Sequence, residues 1–138
     1  MAQQAPAPKV VASLERIFGS GQHHDSIVVD SAVVFRVSRA DTLLGYAQVR
    51  NVKGKDQPIT FLVAVDTADE LKDVDILVYR EPYGGEVAYD SWRRQFRGKR
   101  VTDSLRAGRE IRTISGATIS SHAVTSAVRR ALADLTAW

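Results

Sequence analysis

Ile59-Thr60-Phe61-Leu62-Val63-Ala64-Val65-Asp66 is the run on which the fold turns. Ile59, Phe61, Val63 and Val65 fall at alternate positions, which puts them on one face of an extended chain. The uncharged stretch is strand-sized and far short of the ~20 residues that span a bilayer. On its C-terminal side, Thr67 to Glu70 read as a turn. Leu71 to Arg80 then repeat the alternation, with Val74, Ile76 and Val78 inward and Asp73 and Asp75 outward. On its N-terminal side, Asn51 to Pro58, with Gly54, form a longer turn, and Leu43 to Arg50 a further run. Arg39 to Thr42 turn once more, and Ala32 to Ser38 place Val33, Phe35 and Val37 on one face. Four such runs joined by short turns predict an antiparallel meander with one wet face.

Outside the meander the period changes. Pro8 to Gly19 read as an amphipathic helix, with Val10, Val11, Leu14, Ile17 and Phe18 on one face. Proline near the start and glycine past the end is the usual asymmetry. Gly19 to Ser26 are expected as a polar loop. Beyond the meander, Glu81 to Glu86 form a turn-rich loop and Tyr89 to Phe96 a short helix. Gly98 to Arg109 are irregular and basic, and Glu110 to Ile114 are expected as a short fifth strand. Val124, Ala127, Val128, Ala131, Leu132 and Leu135 make one apolar stripe on a C-terminal helix. That helix is expected to begin just after Ser115-Gly-Ala-Thr-Ile-Ser-Ser121. The fold class is therefore α+β: a meander of four to five strands flanked by terminal helices and a short middle helix.

A chain of 138 residues, 44% hydrophobic and 25% charged, suits one domain over residues 1–138, with residues 1–8 as a flexible tail. The absence of cysteine excludes disulfides, thiolate metal sites and cysteine nucleophiles. The opening Met1 to Lys9 has no apolar signal core; it reads as the start of a mature exported protein or as a frayed native terminus. Net charge is only +3, but Arg93, Arg94, Arg97, Lys99, Arg100, Arg106, Arg109 and Arg112 stand against Asp103 and Glu110 alone. Such a stretch attracts an anion or an acidic partner. It carries no nucleic-acid signature of helix-turn-helix, aromatic or zinc-finger type.

The chemistry concentrates in Ser115-Gly116-Ala117-Thr118-Ile119-Ser120-Ser121. Small residues here feed a helix start, where backbone N–H groups lack partners and the helix dipole is positive. A phosphate binds well at such a place. Gly116 and Ala117 let it approach the backbone, and Ser115, Thr118, Ser120 and Ser121 offer hydroxyls. Arg112 lies near enough in sequence to add charge. A plain helix cap has the same composition, so spacing alone leaves both readings open.

The full string resembles the flavinylation motif of the FMN-binding domain family. That family includes the flavin-bearing components of the Rnf complex and of the sodium-translocating NADH:quinone reductase. Leu44-Gly45-Tyr46, the Asn51-to-Lys55 turn, and Tyr79-Arg-Glu81 followed by Gly84-Gly85 also look like the family, in its order, over roughly residues 32 to 133. The resemblance implies FMN held by a phosphoester on Thr118, installed by an ApbE-type flavin transferase with FAD as donor. It further implies an electron carrier rather than an enzyme, working outside the cytoplasm with a membrane oxidoreductase or a cytochrome as redox partner. Glu81, Tyr83, Gly84 and Gly85 would then form a loop near the isoalloxazine, with Tyr83 as a stacking ring. One position departs: the family pattern often has an acid six residues before the acceptor, where this chain has Arg112. Two other readings stand beside the carrier: a reductase holding FMN non-covalently, and a non-redox module for a phosphorylated ligand.

Trp92 is expected in the core. His23 and His24 are expected in a solvated loop, since no acidic or cysteine set with metal spacing surrounds them. His122 falls in the first turn of the last helix.

Overall fold

Apolar residues at odd and even positions alike make Pro58–Asp66 (β4) a strand that needs cover on both sides, and it has both. The structure, a computed structural model, describes residues 7–29 and 32–136. The tail expected over residues 1–8 therefore lies largely outside the described residues, and Ala7 and Pro8 already belong to the first helix. That helix, α1, spans Ala7–Phe18. Five antiparallel strands follow in the spatial order of the sequence: β1 (His23–Val29), β2 (Ala32–Arg39), β3 (Thr42–Lys53), β4 and β5 (Leu71–Val78). A single turn of 3-10 helix at Gly85–Ala88 leads into α2 (Asp90–Arg93) and a second 3-10 turn at Arg94–Phe96. The C-terminal helix, α3, spans Thr118–Thr136.

Ile59, Phe61, Val63 and Val65 meet the α3 stripe of Val124, Val128, Leu132 and Leu135, together with Trp92 and Phe96. The even residues Leu62 and Ala64 meet Val10, Leu14 and Phe18 of α1 on the opposite face. Burying each large side chain of that second layer stabilises by about 1.5–3 kcal/mol. The meander thus has no wet face over its middle strands, because α1 folds back over the side expected to face water. Val11, placed on the same stripe of α1, is instead 37% exposed.

Four further expectations are corrected. The loop expected over Gly19 to Ser26 ends early, and His23–Val29 is the fifth strand, with His23 opposite Ser38 and Val28 opposite Val33. Its polar start hid it, since an edge strand needs only its partner's hydrogen bonds. Conversely, Glu110 to Ile114 form no strand, only an isolated parallel bridge between Ala107 and Ile111. The backbone groups of Arg112 bond instead to side chains: its N–H donates to Gln95 Oε1 at 2.7 Å, and Trp92 Nε1–H donates to its carbonyl at 2.6 Å. In β5 a register shift opposite Thr60 and Phe61 turns Val78 to the α1 side. Asp73, expected outward into water, is buried beneath Arg16, Arg93 and Arg97.

Candidate functional site

Helix α3 starts inside the motif, at Thr118, rather than after it. The amides of Thr118, Ile119 and Ser120 therefore open the helix and have no carbonyl one turn back to bond. Gly116 holds the approach in the left-handed region at φ +80°, and a Cβ there would meet nothing within 4 Å. Ala117 is buried, its N–H bonded to the Ile114 carbonyl at 2.8 Å. Thr118 and Ser115 are both exposed.

The motif hydroxyls separate into two kinds. Ser121 faces inward: it donates to the Ala117 carbonyl at 2.8 Å and accepts from Ile114 N–H at 3.1 Å. This pins the incoming loop to the first helical turn. Ser120 is also buried and lies 2.7 Å from the Tyr79 hydroxyl, which donates to the Tyr83 carbonyl. With Ser120 as the donor to Tyr79, the three groups form one directional chain from α3 through the end of β5 to the loop at Tyr83. Thr118, by contrast, presents its side chain at the surface.

Gly84 completes this joint. Its φ is +87°, and an added Cβ would stand 2.4 Å from the Tyr79 hydroxyl and 2.8 Å from Ser120 Oγ. Only glycine lets the loop pass so close to α3. Glu81 ties the same loop to the β3–β4 turn by accepting Asp56 N–H at 2.7 Å. That hydrogen bond, with weaker ones from Gln57 and Lys55, holds the Glu81 carboxyl below its ordinary range.

Between the loop and the helix start lies a cleft of about 450 Å³, walled by Lys55, Asp56, Glu81, Tyr83, Gly84 and the Gly116-to-Ser120 segment. It continues past Tyr83 and Gly116 toward Ser115, Gly85, Glu86 and Tyr89. Cofactor sites commonly occupy about 300–1,000 Å³. The structure thus gathers every motif residue except Ser121, and all four loop residues, around one cleft and its extension. Arg112 stands apart, in a neighbouring groove with Trp92 and Arg94. Trp92 is 5% exposed and packs edge-on to Phe96, in the core rather than in the cleft. His23 and His24 lie on β1, and His24 packs edge-on to Phe35. His122 is exposed one turn beyond Thr118.

Sequence reasoning passed over Lys55, Asp56 and Tyr79 as site residues. Tyr79 stood in the quoted Tyr-Arg-Glu string, but its contact with Ser120 spans 41 residues and no periodicity announces it. Lys55 and Asp56 reach the cleft only because the β3–β4 register carries their turn alongside Glu81.

Comparison with curated proteins gives no match. The profile of the FMN-binding domain family matches residues 54–133. The match begins later than the resemblance seen in the sequence, so β1, β2 and all of β3 lie outside it. It includes every residue that walls the cleft. The cleft also suits the cofactor. Unbonded amides and small residues face a phosphate position, and the exposed side chains of Tyr83 and Ile119 offer apolar surface to a ring system. With more than half of the chain inside the match, the protein belongs to the FMN-binding domain family, and its cofactor is FMN.

Proposed function

We propose that the protein is an electron carrier that holds FMN through a phosphoester on Thr118. One observation carries the reading: Thr118 is exposed on the cleft wall, in the first turn of α3, where the amides lack partners. Forming the ester joins Thr118 Oγ1 to the phosphorus of FMN and breaks the pyrophosphate bond of FAD. AMP leaves with the oxygen, and the threonine proton goes to it or to solvent. We assign this step to an ApbE-type transferase, as the resemblance of the Ser115-to-Ser121 string implies. The chain's own contribution is to present the hydroxyl, stabilise the phosphate at the helix start and keep the Tyr83 loop in place through Tyr79 and Ser120.

When bound, FMN supplies one- and two-electron redox chemistry, and the protein supplies position and electrostatics. A covalent tether prevents loss of the cofactor, which matters where free flavin is scarce. We therefore place the carrier outside the cytoplasm, between a membrane oxidoreductase and a further acceptor such as a cytochrome. Among the described residues no helix is long and apolar enough to cross a membrane. A second reading, FMN held without a covalent bond, rests on Arg112 at the position where the family pattern often has an acid.

The deciding experiment is the intact mass of the denatured protein after co-expression with a flavin transferase. The carrier reading expects a gain of one FMN less one water, on the peptide containing Thr118 and absent from Thr118→Val. Flavin that washes out on denaturation establishes the second reading instead.

A further inference from the structure

The basic stretch divides once its partners are seen. Arg93 and Arg97 bond to Asp73, at 3.3 and 3.2 Å. Arg100 pairs with Glu70 at 2.9 Å, and Arg106 with Glu110 at 3.6 Å. Among the described residues Arg94, Lys99, Arg109 and Arg112 have no carboxylate within ion-pair distance. Two of them, Arg94 and Arg112, line one groove of about 410 Å³ with Tyr89, Trp92 and a single acid, Glu86. The groove is not isolated: Tyr89 and Glu86 also line the extension of the cofactor cleft that holds Tyr83 and Gly116. Tyr83 and Tyr89 are 82% and 61% exposed, and with Ile119 they are three of the seven exposed large hydrophobics among the described residues. The surface beside the cofactor therefore combines exposed tyrosines with guanidinium groups that lie outside ion-pair distance of any carboxylate among the described residues. Exposed tyrosine with arginine is the composition of protein contact surfaces. Unpaired rim charge acts mainly by steering association, so its effect depends on salt.

We infer that this groove docks an acidic one-electron carrier protein, steered by Arg94 and Arg112 and seated on Tyr89. The inference rests on the electron-carrier reading and names its partner by chemistry. In each productive encounter the reduced partner is oxidised by one electron, which passes to the flavin beside Tyr83.

The probe is a strongly acidic [2Fe–2S] ferredoxin. Its binding is measured by calorimetry, and its oxidation by the flavin-loaded protein by stopped flow, from low salt to about physiological ionic strength. Rates are normalised to bound flavin. Parent protein is expected to bind and react with a steep salt dependence. Arg94→Glu/Arg112→Glu should lower both affinity and second-order rate at least tenfold at low salt and flatten the salt slope. Arg36→Glu/Arg130→Glu changes charge equally; Arg130 is exposed roughly 18 Å along α3 from Thr118. This control should stay within twofold of the parent. Equal losses in both double variants, an unchanged salt slope in the groove variant, or no salt-dependent binding by the parent overturns the docking surface. Failure of the parent to take up flavin, or to be reduced at all, overturns the carrier reading instead.

Discussion

Around Asp73, arginines from α1, α2 and the turn after α2 converge on one carboxylate, and Arg93 adds a 2.6 Å bond to the Val74 carbonyl. Around Thr118, by contrast, hydroxyl, amides and the tyrosine of the facing loop point into a cleft or into solvent. The two regions sit at opposite ends of the polar range. At the first, every group is paired and the elements are locked together: Arg16 carries α1 onto β5 through Asp73 and Asp75, both at 3.1 Å. At the second, pairing is confined to the groups that hold the cleft open, Ser120, Tyr79, Ser121 and Glu81. Saturated polar groups fix a fold, and groups left unsaturated at a helix start remain available to a ligand.

Substitutions in the two regions should therefore separate stability from flavin content. Asp73→Ala leaves the buried Arg93 with only the more distant Asp90, at 3.9 Å, as a charge partner and should cost about 3 kcal/mol in chemical denaturation, while any protein that folds still takes up FMN. Gly84→Ala forces a side chain into a left-handed position against Tyr79 and Ser120. It should cost about 1–3 kcal/mol and also reduce flavin content, since the cleft wall must shift. Tyr79→Phe removes the link between Ser120 and Tyr83 and should cost about 1 kcal/mol, with the altered flavin environment read by fluorescence. Thr118→Val should change stability by less than about 0.5 kcal/mol yet abolish covalent flavin. A Thr118→Val protein as destabilised as Asp73→Ala would erase the distinction between the two regions.

The smallest effect is one of pH. Because the Asp56 amide depresses the Glu81 carboxyl, its folded value lies below its unfolded one. The contribution is thus complete above the ordinary glutamate value of about 4.3 and lost as pH falls through the folded value. Glu81→Gln should flatten the acid limb of a stability profile measured across that interval, and leave the shape of the profile near neutral pH unchanged.

The apolar stripe of α3 was legible residue by residue, because a helix buried on one side writes its contacts at fixed spacing. The alternation of β4 was legible too, but its even residues Leu62 and Ala64 also needed cover, and only the presence of α1 reveals the second layer. Asp73 misled for the same reason: alternation reports a face, and not whether that face meets water or three arginines. At the site, the motif and the Tyr83 loop were readable as separate strings. Their juxtaposition through Tyr79 was not, since one hydroxyl spanning the sheet end leaves no periodic trace. The basic stretch looked uniform until its carboxylate partners, distant in sequence, sorted paired from unpaired arginines.

The double cover of β4 has a consequence for the order in which the mature protein is made. The strand's interior, from Ile59 to Val65, is screened from water by side chains that belong neither to the cleft nor to its loop. Its amides should be the last to exchange with deuterium, at the same rate before and after flavin is attached. On the covalent-carrier proposal, the polypeptide would then reach its final shape without its cofactor, and the transferase would meet a finished surface rather than an unfolded tail.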